Sequence, residues 1–238
     1  MSPSQAGLIG RLSESRQLMA VRRGFLLLLP LVMLGALSLT LGNVALPWPA
    51  AAGFQRMFLQ AGAAIFGVIS LCLTLSVSYS LAASRQADAL NDMPPLVPAS
   101  VALLSFVMTV APFDGSGGIG PYGTRSVFPA LIVAILATGI FMKLLDRSRT
   151  RRGVLGGDAD PALPAVLRAL PPAFLTVACF LGVRQALGLA GQTPAAVLDT
   201  ALIGAFGLLD SELARALLFN LLNHLLWFFG AHGNNVLA

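Results

Sequence analysis

Apolar residues in this chain neither alternate nor mark one helical face; they run unbroken for the thickness of a bilayer, between short polar punctuations. A spanning helix needs about 20 mostly apolar residues at roughly 1.5 Å rise each. Residues 25–46, 57–81, 96–111, 127–145 and 213–229 read as such spans. Residues 172–190 form a sixth, weakened by Arg184. A charge there costs about 2.5–3.5 kcal/mol at a helix centre unless it pairs or snorkels, so this segment is expected to dip or run to the interface. Residues 195–209 are moderately apolar, contain Gly204 and Gly207, and read as re-entrant or interfacial. The pattern predicts an all-α, polytopic membrane helical bundle of about six spans.

Proline sharpens the boundaries. Pro94-Pro95 and Pro171-Pro172 sit where helices are expected to begin, with Asn91 and Asp92 as caps before the first pair. Pro30, a turn into the first span, should kink or restart that helix. Basic residues set the orientation. With the N-terminus cytoplasmic, Arg11, Arg16, Arg22, Arg23, Arg85, Lys143, Arg147, Arg149, Arg151, Arg152 and Arg168 all fall inside, and Arg56 and Arg125 fall outside. The run from Arg147 to Arg152, followed by 153–164, reads as a solvated cytoplasmic linker, with contact to anionic membrane lipid as a secondary role. Basic residues before an apolar core also fit a signal peptide cleaved near 45–52; a retained first helix is more economical, because further spans follow.

Composition agrees with the pattern and narrows the chemistry. With 56% hydrophobic and 11% charged residues, the chain has too little polar surface to cover a soluble globule. The net charge of +5 is not organised as a basic stripe with interleaved aromatics, so no nucleic-acid partner is expected. Cys72 and Cys179 lie in apolar runs, where cysteine acts as a small hydrophobe. No His, Cys and carboxylate cluster has ligand spacing, so neither a metal nor another cofactor is expected. Residues 115–120 fit G-x-G-x-x-G, but they follow a membrane span and run into Pro121, which makes them a loop instead of a phosphate cradle.

The last helix carries the candidate chemistry. Asn220, Asn223, His224 and Trp227 recur at spacings of three and four and line one face. Asp210 or Ser211 can cap its start, and Glu212 complements the dipole there. For His224 the simpler reading is interhelical glue. His232 differs, because it lies past the leucine run between Gly230 and Gly233, where a backbone break lets a ligand approach.

This closing stretch resembles a known family: the membrane component IIC of the bacterial phosphoenolpyruvate-dependent sugar phosphotransferase system (PTS), lactose/cellobiose branch. Its signature is a helix ending Leu-Leu-Trp-Phe-Phe-Gly-Ile-His-Gly, then Asn, which here reads Leu225 to Gly233 and then Asn235. Gly24-Phe25 through Pro30, Gly35 to Asn43 and Pro47 resemble the family's first span, Tyr122-Gly123 to Lys143 its fourth, and Pro171-Pro172 with Phe180 the entry to its fifth. The resemblance implies a multi-pass protein of the bacterial inner membrane. It divides the chain into a cytoplasmic segment 1–24, an interface domain 25–190 that forms a homodimer, and, at 191–238, the start of a substrate-binding domain. It also implies a sugar, expected to be a disaccharide, whose 6-hydroxyl is phosphorylated by a phosphocysteine on a separate IIB subunit. His232 would bond the sugar near that hydroxyl and Asn235 would bind another. An imidazole and a carboxamide can each donate and accept, which suits vicinal hydroxyls.

Two departures accompany the resemblance. Ala231 replaces the family's Ile, and the glutamate that takes the hydroxyl proton lies in a further stretch beyond the motif; Glu212 is a long helix away from His232. No catalytic residue is therefore assigned, and the chain alone is not expected to transport or phosphorylate. Two alternatives stand beside the permease: a sugar-sensing membrane module that regulates a fused or partner EAL domain degrading cyclic di-GMP, and a remnant that only dimerises.

Overall fold

The computed structural model describes residues 16–44, 51–86, 93–111, 118, 120–150 and 162–194, with isolated positions at 196–197, 200, 204, 211–213, 216–217 and 220. Every regular element among them is helical. The α-helices are α1 (Arg16–Asn43), α2 (Ala51–Gly67), α3 (Ile69–Gln86), α4 (Leu96–Val110), α5 (Val127–Thr150) and α6 (Ala162–Leu189); two 3-10 turns, Gly120–Tyr122 and Thr124–Ser126, lead into α5. Helices are what apolar segments must form where no water can pair with the backbone.

Helix α1 runs antiparallel along α2 and then α3; α3 packs on α4 and α5, and α4 and α5 pack on α6. Half of the apolar window of α5 is buried, against 28% for the first helix and 17% for the last, so α5 is the most enclosed of these three long helices. The main core joins Val21, Phe25 and Leu28 of α1 to Leu73 and Val77 of α3, Phe106 of α4, Ala130, Val133, Ala134 and Ala137 of α5, and Phe180 of α6. A second cluster, Met93, Phe141, Met142, Leu145 and Ala169, closes the end where α5 stops and α6 starts. Large apolar side chains that stay exposed crowd the outward faces of α1 (Leu26, Leu27, Met33, Leu34, Leu37) and α6 (Leu170, Phe174, Leu175, Val183). Such faces are liabilities in water and ordinary in lipid.

Close approach depends on missing side chains. A Cβ on Gly24 would lie 2.9 Å from the Val77 Cα, and one on Gly42 would lie 2.9 Å from the Leu59 backbone nitrogen. Backbone cannot yield as a flexible side chain can, so these glycines set the crossing of α1 over α3 and α2. Along α3, Ser70, Thr74 and Ser78 are fully buried at four-residue spacing. Thr74 donates to the Ser70 carbonyl at 2.8 Å, and the Ser78 hydroxyl approaches the Ala134 carbonyl at 3.4 Å. Thr138, also fully buried, would ordinarily return its hydroxyl to that same carbonyl, four residues back. Its Oγ1 has no partner.

The structure modifies several expectations. The second span, expected as one helix over 57–81, breaks at Val68, where α2 and α3 meet at 44°. The loop before α5 sits at the break: Ser70 Oγ donates to the Gly123 carbonyl at 2.6 Å, and Tyr122 packs edge-on against Phe106 with ring centroids 6.4 Å apart. Pro30 lies level with the same break, between Gly24, which faces Val77, and Gly35, which faces Phe66, and α1 continues through it. Pro95 does precede a helix start at Leu96. Pro171-Pro172, by contrast, lie inside α6, which begins at Ala162. Their missing N–H groups free the Leu167 and Arg168 carbonyls in the second turn of α6, which other groups must satisfy.

Span length also differs from expectation. Three described helices are long and apolar enough to cross a membrane, and the bent α2–α3 pair is a fourth. With 15 residues, α4 reaches about 22 Å and falls short of a full crossing. The 172–190 segment does not dip, because α6 runs unbroken to Leu189. Arg184 Nη1 donates to the Met108 carbonyl at 3.1 Å, so the charge pairs with the C-terminal end of α4, where the helix dipole is negative. The last expected span, 213–229, lies mostly outside the described residues, as do Asn91, Asp92, Asp210 and most of the 115–120 loop.

Two substitutions test this packing. Gly24→Val should destabilise the detergent-solubilised protein by about 1–3 kcal/mol, the usual cost of overpacking, read as a lower thermal midpoint. Thr138→Val should be neutral or stabilising by up to about 1 kcal/mol, because it removes an unsatisfied hydroxyl at nearly constant shape; a loss of stability would show that the hydroxyl has a partner.

Candidate functional site

The two residues assigned to sugar, His232 and Asn235, lie outside the described residues, together with Asn223, His224 and Trp227. Of the polar face of the last helix, Asn220 alone is described; it is helical, exposed and engaged in a polar contact. Glu212 and Leu213 are helical and exposed at the start of the same run. The structure therefore describes the scaffold that delivers the chain to the candidate site.

That delivery is well defined. Helix α6 ends in a left-handed turn at Gly191, whose φ is 68°. The Gln192 N–H donates to the Leu187 carbonyl at 2.9 Å and the Gly191 N–H to the Gly188 carbonyl at 3.0 Å, the paired bonds of a Schellman cap. Thr193 then caps the next helix: its Oγ1 accepts from the Ala196 N–H at 3.1 Å and its carbonyl accepts from the Val197 N–H at 3.0 Å. Pro194 occupies the first helical position, where its missing N–H costs nothing. A stop at Gly191 and a restart at Thr193 separate α6 from the helical segment that begins at Pro194.

The charges fall into two ends of the bundle. Arg85 closes α3, Lys143 and Arg147 close α5, and Arg168 opens α6, all where the second core cluster lies. Arg125 lies at the opposite end, in the turn before α5. Cys72 is half-buried on α3 and Cys179 exposed on α6, both as free thiols. Among the described residues no three His, Cys, Asp or Glu side chains gather as a metal site would need. The Ser70–Gly123 and Arg184–Met108 bonds were not legible in the sequence, because each joins residues far apart in the chain through a backbone carbonyl.

Architecture and charge placement define a polytopic membrane bundle, and comparison with known proteins specifies its class. No protein-family profile matches the chain. It is 27% identical to the PTS oligo-β-mannoside-specific EIIC component of Bacillus subtilis (strain 168), over 97% of this chain and 54% of that protein. It is 26% identical to the PTS cellobiose-specific EIIC component of Geobacillus stearothermophilus, over 94% of this chain and 53% of that protein. The fold matches the crystal structure of the transporter ChbC, the IIC component of the N,N'-diacetylchitobiose-specific phosphotransferase system, with a TM-score of 0.70 and 22% identity, over 98% of this chain and 57% of that one. The resemblance to the IIC membrane component, lactose/cellobiose branch, is borne out by these relatives, which are components of that system. The chain is a multi-pass protein of the bacterial inner membrane with the IIC fold, and it spans about half the length of the relatives it matches.

Gly191→Ala should lower the thermal midpoint by the equivalent of about 1–2 kcal/mol, because a Cβ at positive φ is strained. An unchanged midpoint would mean that the turn can relax out of the left-handed region.

Proposed function

We propose that this chain is part of a IIC sugar permease of the phosphotransferase system, taking up a β-linked disaccharide or short oligosaccharide. The observation that carries the reading is the closing motif Leu225 to Gly233 with Asn235, within a chain similar along almost its whole length to the oligo-β-mannoside and cellobiose components. Two of the relatives are lactose-specific EIICB components, in which, as the name states, the C and B parts go together; the Streptococcus mutans one is 21% identical over 95% of this chain. That supports a partnership with a IIB phosphocarrier.

In this reading the N-terminus is cytoplasmic, residues 25–190 form an interface domain that pairs two copies, and 191–238 begins the sugar-binding domain. His232 donates and accepts beside the reacting hydroxyl, and Asn235 holds a neighbouring one. The flanking Gly230 and Gly233 leave room for a pyranose to approach the backbone. A phosphoryl acceptor hydroxyl must lose its proton as the phosphate arrives, so a base within hydrogen-bond reach is needed. Glu212 stands twenty residues before His232 in sequence, and in this reading it does not take that role. The sensory reading, in which bound sugar regulates a cyclic di-GMP phosphodiesterase, gains no support from relatives described as EIIC or permease components.

The test is direct binding of radiolabelled cellobiose to the full native protein in detergent. His232→Ala should weaken binding by roughly 10–100-fold, the loss of one or two strong hydrogen bonds, with membrane insertion unchanged. His224→Ala should lower the thermal midpoint and leave binding intact. Binding retained in the His232 variant, or lost in the His224 variant without loss of stability, would overturn the assignment.

A further inference from the structure

Helix α6 is held to the bundle by one narrow seam. Ala169, Pro172, Thr176 and Phe180 are buried at three- and four-residue spacing, and the neighbouring faces are open. Arg184, half-buried, continues that seam by one turn. After it only Leu187 is partly covered, and Gly188, Leu189, Ala190 and Gly191 are exposed. Arg184 is thus the last strong attachment of α6 before the helix stops at Gly191 and the chain restarts at Thr193.

Its bond is suited to fixing a direction. The guanidinium donates at 3.1 Å to the carbonyl of Met108, in the last turn of α4. Carbonyls there lack intrahelical donors; the neighbouring Val107 carbonyl is taken by the Ala111 N–H at 2.9 Å. A charged donor on such a carbonyl makes a bond roughly twice as strong as a neutral one, and the dipole of α4 adds to it. Tying the C-terminal ends of two parallel helices together fixes both the height of α6 and its rotation.

We propose that Arg184 is a positioning residue for the segment from Pro194 onward. Clamped to the end of α4, it sets the direction in which α6 hands the chain to the segment that carries His232. The consequence for sugar rests on the reading of His232 as a sugar ligand; the geometric part does not.

The experiment uses the full native protein with Cys72 and Cys179 replaced by Ser, and measures distances between paired spin labels. One pair, at Leu104 of α4 and Leu217, both exposed, reports the segment against the body. A second pair, at Leu104 and Leu136 of α5, reports the body alone. Arg184→Ala should broaden or shift the first distribution and leave the second unchanged, and Arg184→Lys, which keeps a charged donor, should restore a distribution close to that of the parent. If Arg184→Ala does not insert, Arg184→Gln and Arg184→Lys take its place, with broadening expected in Gln and little in Lys. A first distribution identical to the parent's in Ala, or in Gln where Ala fails, overturns the proposal. Cellobiose binding separates the two readings. About a tenfold loss in Arg184→Ala, with the parent binding normally, supports the positioning role, and unchanged binding overturns it. A parent that binds no cellobiose, with the distances shifting as expected, overturns the sugar reading and leaves the clamp standing.

Discussion

Inside a bilayer a backbone N–H or carbonyl has no water to turn to, and this constraint governs each irregular point of the bundle. The chain deviates from straight helices at Val68, at the three prolines within helices, and at the short α4, and at most of these points a local answer is visible. At Val68 the N–H falls back on the Ile65 carbonyl at 3.3 Å, and Ser70 binds the incoming loop at Gly123. At the end of α4 a guanidinium replaces the missing donor. Buried hydroxyls follow the same rule by turning inward: Ser105, Thr109 and Thr176 donate to carbonyls four residues back at 2.7–2.8 Å. Thr138 departs from it, because Ser78 already approaches its natural acceptor.

Given that constraint, packing is decided by bulk. No hydrophobic force drives apolar helices together in lipid, so van der Waals contact at small residues must do so. The bundle follows this closely. Gly24 and Gly42 let α1 lie against α3 and α2, and Ala130, Ala134 and Ala137 let α5 receive its neighbours. The large side chains are sent outward on α1 and α6, where lipid accepts them without penalty.

These two facts explain what the sequence could disclose. Fold class and most helix positions were legible, because an apolar run of bilayer length admits few alternatives. The prolines misled where position within a run was taken for a boundary. Pro95 starts a helix, but Pro171-Pro172 sit in the third turn of one, because a membrane helix extends past its apolar core and neighbouring groups can satisfy the carbonyls that proline frees. The break at Val68 carries no proline; it is set by the loop that binds there, a tertiary effect invisible to periodicity. For the site, the clue was a motif, Leu225 to Gly233, and its chemistry was read from residue types and resemblance. The scaffold that presents it was not legible, because it depends on the cap at Gly191 and on Arg184, whose partner is a carbonyl some seventy residues away in sequence.

Arg184 shows how a residue that looks like a defect can be the organising one. Read by hydropathy, it weakens a span and suggests that α6 leaves the membrane. Read against α4, it is the donor that a helix too short to reach the interface requires, and α4 supplies the negative end that a buried cation requires. Each half lowers the cost of the other in hydrocarbon. Leucine in place of Arg184 would improve the hydropathy of α6 and leave the end of α4 unanswered. The favourable arrangement is therefore a property of two helices together, which is why scoring each span separately assigns the penalty to the wrong place.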